Sequence, residues 1–379
     1  LKAYSEKLAY TIEELTNCAH EPIASCGAIQ SVGYYINIHA ATALIEAVST
    51  NFAELLGLDT SMILGKPISD FLKLKDGLPL DFSSKEMIRH KHVTQLLVRD
   101  LAGNAIVLSA NFFEEGTQVG IDLEPAVELP TFDTNRNLHS LISRLESSEE
   151  LATDCLLVCE AIRSLAGFDR VMVYRFQENW DGEVIAEARD ESLVPFLHLR
   201  YPAHDIPEQA RKLYLRTPYR MIVDTEAVPV VVQTLSNRSR MDVSLGLSHL
   251  RASSPIHIQY LHNMGVRSSF SIPLKVNNRL WGLISCHHNQ EALYFNPERR
   301  SSLELMGRLL SGRVASFIEK RRILTKRDTL EFTQSFVNNL TLGMPTRESF
   351  LASREQLMNL IRSTGAFIRV QGENIRIGS

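Results

Sequence analysis

Two arginines, four serines, one tyrosine and two histidines fall within residues 250–269, LRASSPIHIQYLHNMGVRSS, interleaved with Ile256, Ile258, Leu261, Met264 and Val266. Apolar residues at such short intervals argue against a solvated loop, and so many hydrogen-bond donors argue against a plain core. The mixture suits a deep pocket for a large, flat, partly apolar ligand with anionic arms, oriented by a few polar groups. Arginine serves such arms because its planar fork meets carboxylate or phosphate oxygens two at a time. Arg251 is one candidate and Arg220 a second, with the hydroxyls of Ser254, Ser269 and Ser271 as helpers. An unperturbed histidine titrates near neutrality, so His257 is a candidate to accept, donate or relay a proton. Ile256, directly before it, offers no nucleophile.

A second constellation is Tyr201-Pro202-Ala203-His204-Asp205-Ile206-Pro207. Two prolines restrict the backbone around a His–Asp pair, and Gln209-Ala210-Arg211 opens a helix. Rigid polar groups at a helix start suit a charged or strongly hydrogen-bonding ligand. The plainer alternative is an N-capping aspartate beside an exposed histidine. Cys286-His287-His288 invites comparison with a metal site or a Cys–His nucleophile. Along a strand, however, neighbouring side chains face opposite ways, and no acid completes a triad. Cys155 and Cys159, one helical turn apart, read as buried thiols rather than metal ligands.

These groups need elements to hold them. Tyr34–Ile38 and Leu44–Ser49 read as strands, Asn51–Gly57 as a short helix closed by glycine, and His92–Asp100 with Asn104–Phe113 as a hairpin turning at Ala102-Gly103-Asn104. Glu124–Asp133, with two prolines, reads as a linker. An amphipathic helix is expected over Leu138–Leu165, strands at Arg170–Phe176 and Gly182–Ala188, and a hairpin of Ser271–Val276 and Leu280–His288 around Asn277-Asn278. Asn296-Pro297-Glu298 opens a long helix whose apolar face suits a domain cover and a dimer surface. A further helix at Thr346–Arg362 and a strand at Ala366–Val370 end before they enclose a core. The fold class is α+β, with two successive sensor-like domains of antiparallel sheet flanked by helices.

Taken in order, these segments resemble the phytochromes, above all those of bacterial type. The family's proline-alanine-serine (or threonine)-aspartate-isoleucine-proline motif is matched at Pro202, Ala203, Asp205, Ile206 and Pro207, with His204 as the departure. Asp169–Phe176, Arg216–Arg220, the 250–269 stretch and Leu280–His288 agree in order and spacing, and Cys18-Ala19-His20-Glu21-Pro22-Ile23 resembles the start of biliverdin-binding members. The resemblance implies a PAS domain at 27–125, a GAF domain at 135–325 and the start of a PHY domain at 326–379, after an attachment segment at 1–26. It implies biliverdin IXα as cofactor, with Arg220 and Arg251 on its propionates. The main-chain carbonyl of Asp205 and a water held by His257 would accept from the pyrrole nitrogens. His287 would meet the carbonyl of the rotating ring, lined by Tyr174, Tyr201, Tyr214 and Tyr260. With isoleucine at 256 the pocket-internal attachment site is lost, so Cys18 is the expected thiol and Cys26 a competitor. Ala24-Ser25-Cys26-Gly27 and Gln30-Ser31-Val32-Gly33 depart from the family's pattern. The family also threads its N-terminal segment through a GAF loop as a figure-eight knot, which would put Ile29 inside 224–249.

Bulk properties agree. At 379 residues the chain suggests two or three domains, and 44% hydrophobic with 22% charged residues is a globular composition. A net charge of -4 gives no electrostatic reason to expect nucleic acid or an anionic membrane. No apolar run is long enough to cross a bilayer, and five scattered cysteines fit a reducing cytoplasm. Beginning at Leu1 and breaking off at Ser379, the chain reads as a piece of a longer protein, with a homodimer and an output module or histidine kinase as expected partners. It should catalyse nothing itself. The rival readings are a PAS-GAF module for another small molecule, such as a cyclic nucleotide held by Arg220 and Arg251, and a dimerisation scaffold without a bilin.

Overall fold

Alternation and turn chemistry build the N-terminal third much as expected. The structure, a computed structural model, describes residues 2–8, 21–78, 80, 94–126, 134–370 and 372–378. A short helix α1 (Lys2–Ser5) precedes strands β1 (Ala28–Ile29), β2 (Tyr34–His39) and β3 (Ile45–Ser49). Helix α2 (Thr50–Leu56) stops at Gly57, whose φ of 67° is left-handed and suits glycine. After α3 (Thr60–Ile63) come β4 (Lys73–Leu74), β5 (Thr94–Arg99), β6 (Ala105–Glu115) and β7 (Gln118–Pro125). Ile36, Val48, Phe52, Leu108 and Ile121 bury a common core.

The single amphipathic helix expected over Leu138–Leu165 is two helices, α4 (Thr134–Glu146) and α5 (Leu151–Ala166). Ser147 turns its hydroxyl back onto the carbonyls of Ser143 and Arg144, a local bond that competes with helix continuation. There follow β8 (Arg170–Phe176), β9 (Gly182–Arg189), β10 (Arg200–Tyr201), α6 (Glu208–Arg216), β11 (Arg220–Ile222) and β12 (Val230–Thr234). Helix α7 (Pro255–Asn263), strands β13 (Ser268–Val276) and β14 (Arg279–His288) and the long helix α8 (Pro297–Thr341) complete this part. The β13–β14 turn places Asn277 and Asn278 at φ 50° and 59°, as a type I′ turn requires. One antiparallel sheet runs β10-β9-β8-β14-β13-β11. Cys155, Val158, Cys159 and Ile162 of α5 are fully buried, as are Ile272, Ile284 and Cys286 of the sheet. Gly307 of α8 comes so close that a Cβ there would lie 2.5 Å from Ile272 Cγ2.

The two expected sensor domains share secondary structure. Strand β12 leaves the second and pairs with both β3 and β1, so eight described strands form one sheet, β1-β12-β3-β2-β7-β6-β5-β4. Fully buried Ile29 pairs with Val230 on one side and bridges Arg251 on the other. Neighbouring backbone bonds, Val232 N–H to Gly27 O at 3.0 Å and Gln30 N–H to Leu250 O at 2.7 Å, hold residues 27–30 to both arms of the 224–249 loop. Such bracketing is what threading through that loop requires. Leu1–Ser311 form one compact unit.

Glu124 lies in β7, not in a linker. Its carboxylate takes both arms of the Arg300 guanidinium from α8, the Nη1–Oε1 bond measuring 3.0 Å, and each side chain is 2% exposed. A second compact unit, Gly312–Ser379, holds α9 (Thr346–Ala352), α10 (Arg354–Ile361) and the hairpin β15 (Gly365–Val370) with β16 (Glu373–Gly378). The helix expected over Thr346–Arg362 thus breaks at Ser353, and a small core of Leu357, Ile375 and Ile377 forms where none was expected.

A buried ion pair is most costly when only one partner is removed. Glu124→Gln, which strands the Arg300 charge, should lower unfolding free energy by about 3–5 kcal/mol in urea denaturation. The apolar double variant Glu124→Leu/Arg300→Met should recover most of it. A single variant within about 0.5 kcal/mol of the parent, the range of an ordinary surface substitution, would contradict this.

Candidate functional site

Between the six-stranded sheet and helices α6 and α7 lies a cavity of about 360 Å³. Its sheet wall follows from strand periodicity, since alternate residues share a face. Met172 and Tyr174 of β8, Leu283, Ser285 and His287 of β14, and Ser269 and Ser271 of β13 all line it. Register aligns Arg220 with Ser271, Ser271 with Ser285, and Ser269 with His287, so polar groups cross the wall in a row. The intervening Cys286 is fully buried off this wall, and His288 pairs instead with Asp169 at 3.0 Å. Among the described residues no cluster of His, Cys, Asp or Glu could hold a metal ion.

The helical wall depends on how α7 starts. Ser254 caps it, its Oγ accepting from the His257 N–H at 3.2 Å, and Pro255 takes the first helical position. This start sets Ile256, His257, Tyr260 and Met264 along the cavity, the rings of His257 and Tyr260 lying parallel 6.2 Å apart. From α6 comes Tyr214, hydrogen-bonded to Ser271.

The Tyr201–Pro207 segment is held by more than its prolines. Asp181 accepts from the Ala203 N–H at 3.0 Å, while Arg211 donates to the carbonyls of Ala203 and Ile206. Tyr201, His204, Asp205, Ile206 and Pro207 all border the cavity. The His204 side chain is 82% exposed, with Nε2 3.4 Å from Asp205 Oδ1. Tyr174 packs edge-on against Phe176 at 5.3 Å. Gly182 leaves room for that tyrosine, because a Cβ there would lie 1.6 Å from Tyr174 Cζ.

Charge is distributed unevenly. Arg220 donates through Nη2 to the Arg251 carbonyl at 2.6 Å and to Ser253 Oγ at 2.8 Å, while buried Nη1 has no partner among the described residues. Arg251, itself buried, donates through Nη1 to Ile23 O at 2.8 Å, and its Nε has no partner among the described residues. Burial, then the neighbouring Arg251, push the Arg220 pKa down to about 9. Burial and the same two cations hold His257 down to about 4. Burial, Arg170 and His257 hold His287 down to about 3. His287 rests Nε2 on Ser285 Oγ at 3.2 Å, and its buried Nδ1 has no partner among the described residues. Two cations with unsatisfied donors in an apolar cavity favour an anionic ligand.

Every described residue expected at the site lines this cavity; Cys18 lies outside the described residues. Ser254 lines the cavity as expected and also caps α7, while the hydroxyl that accepts from Arg220 is that of Ser253. Cys26, named as a competitor for attachment, is fully buried and is not among the residues lining the cavity, its Sγ donating to Ala28 O at 3.3 Å, a placement that speaks against that role. Sequence reasoning also missed Glu21, Phe196, Tyr219 and Ser285. Ser285 was recoverable from the two-residue spacing to His287; the others reach the site only through tertiary contact.

The depressed histidines have a pH consequence. Between about pH 6.5, where an unfolded histidine titrates, and about 4, the unfolded chain takes up a proton that folded His257 refuses, so acidification destabilises the fold. Asp122 and Glu21, both raised to about 7, act with opposite sign, so the comparison must be with a variant. In ligand-free protein, urea midpoints of His257→Gln should fall less steeply than the parent's from pH 6.5 to 4. Parallel curves would contradict the geometry.

Comparison with known proteins agrees with this architecture. A GAF domain model matches residues 150–314 and a PAS fold model residues 18–126. A bacteriophytochrome of Xanthomonas campestris is 36% identical over 305 residues, covering 80% of this chain and 48% of that protein. Cyanobacterial phytochrome B of a Nostoc species is 30% identical over 370 residues, covering 96% and 49%. The chain thus spans about half the length of these relatives. The chromophore-binding domain of Stigmatella aurantiaca phytochrome P1 superposes with a TM-score of 0.72 at 34% identity, covering 78% of this chain and 98% of that one. The photosensory core module of the same species' phytochrome gives 0.81 at 28% identity, covering 98% and 73%. With its PAS and GAF regions and this cavity, the chain belongs to the phytochrome family.

Proposed function

We propose that this chain is the photosensory part of a red/far-red light receptor that binds biliverdin IXα in the cavity, attached through Cys18. The observation that carries the reading is the pair Arg220 and Arg251, each with a buried N–H group that has no partner among the described residues, beside a long apolar wall. Two propionates would satisfy them. When bound, the bilin supplies visible absorption and a double bond that light isomerises. Arg220 and Arg251 hold the anionic arms, with Ser253 orienting Arg220. The Asp205 carbonyl and a water held by neutral His257 accept from pyrrole N–H groups. His287 presents Nδ1 to a ring carbonyl, and Tyr174, Tyr201, Tyr214 and Tyr260 shape the space in which a ring turns. Residues 1–26 serve attachment, 27–125 and 135–325 form the PAS and GAF domains, and 326–379 begin a PHY domain.

Signalling requires two states with different pocket contacts. In the full-length protein we expect a homodimer that passes the change along α8 to an output module such as a histidine kinase, in the cytoplasm. No helix among the described residues is long and apolar enough to cross a membrane.

Reconstitution tests this directly. Biliverdin should produce a red absorption band that changes under red light. The pigment should stay on the parent chain in denaturing electrophoresis but leave Cys18→Ser. Arg251→Gln should weaken biliverdin binding about 10- to 100-fold, as expected for a charge-assisted hydrogen bond, and leave binding of biliverdin dimethyl ester nearly unchanged. No red band, or equal losses for both pigments, would refute the reading.

A further inference from the structure

One polar group on the cavity wall has no role so far. Glu21 lines the cavity and is 4% exposed, yet no ion pair joins it to Arg220 or Arg251 among the described residues. Its neighbour is Ser254. Because Ser254 Oγ accepts from the His257 N–H, its own hydrogen is free to be donated to one oxygen of Glu21. The other oxygen, Oε1, is buried without a partner among the described residues. A carboxylate buried without a cation or a second donor is more costly than the neutral acid. Burial accordingly raises the Glu21 pKa to about 7. As the neutral acid, Glu21 accepts from Ser254 and keeps an O–H with no partner among the described residues.

We propose that Glu21 is a ligand-binding acid whose Oε1 hydroxyl donates a hydrogen bond to a neutral carbonyl oxygen of the ligand, of the kind a bilin carries on its terminal lactam rings. The proposal rests on the bilin reading above. It divides labour within the cavity: Arg220 and Arg251 attract the charged carboxylates, and Glu21 recognises an uncharged acceptor that they would leave unpaired. Unmet, such a donor costs about as much as a lost hydrogen bond, which gives the site a means of rejecting ligands without a carbonyl there.

Infrared difference spectra of the biliverdin-loaded protein should contain a protonated carboxylic acid stretch that is absent in Glu21→Gln. Because glutamine keeps a neutral donor, Glu21→Gln should bind biliverdin within about threefold of the parent, whereas Glu21→Ala should bind about tenfold more weakly, as for one hydrogen bond. Circular dichroism of the ligand-free variants separates this from misfolding, and the infrared comparison stands if the alanine variant fails to fold. Loss of a carboxylate stretch in Glu21→Gln, or equal binding by all three proteins, overturns the proposal while the bilin reading survives. A parent that binds no biliverdin overturns both.

Discussion

Two guanidinium groups buried side by side, with no counter-ion among the described residues, are the constraint around which this site is built. Each is half satisfied: Arg251 by the carbonyl of Ile23, Arg220 by the carbonyl of Arg251 and by Ser253. Burial first, and then repulsion between like charges held close, place Arg220 and His257 below their ordinary ranges. The arrangement persists because the backbone that supplies those carbonyls is itself fixed, with residues 27–30 held between both arms of the 224–249 loop. The fold thus keeps an electrostatic demand open for a ligand to meet.

That demand is coupled to the PAS sheet through two acids of β7. Asp122 accepts from Ser248 Oγ at 2.6 Å and from the His249 N–H at 2.8 Å. The His249 ring stacks on Tyr219 at 4.4 Å, and Tyr219 lines the cavity. Two residues on, Glu124 binds Arg300, whose guanidinium lies 5.7 Å from the other end of this stack at Tyr219. A shift of the cavity wall therefore meets groups fixed at once to the sheet and to the start of α8. These buried polar contacts need good geometry to be tolerated, so they specify the placement of Tyr219 as well as stabilise it.

Much of this was legible from local chemistry. The strands around Tyr174 and His287, the Asn-Asn turn, the Pro297 helix start and the alternation that puts His287 opposite Cys286 all follow from period and turn type. The expected pocket residues converge because Arg220, Ser269, Ser271 and His287 fall on one face of adjacent strands. What local reasoning missed depends on distant partners. Glu124 looks like linker because its reason for burial, Arg300, is far along the chain. β12 has no local mark of joining a sheet outside its own domain. Two helices that apolar periodicity alone would continue break at Ser147, whose hydroxyl bonds back to the Ser143 and Arg144 carbonyls, and at Ser353, whose hydroxyl meets Ser335 and Asn339 of α8.

The central claim, that Arg220 and Arg251 are held for two carboxylates of one flat ligand, is tested most directly by a crystal structure of the chain loaded with biliverdin. The account predicts one propionate on each guanidinium, engaging Arg220 Nη1 and Arg251 Nε, with His257 and His287 within hydrogen-bond distance of the pigment. A bound pigment whose propionates point to solvent or to other cations, leaving both arginines as they are, would contradict it.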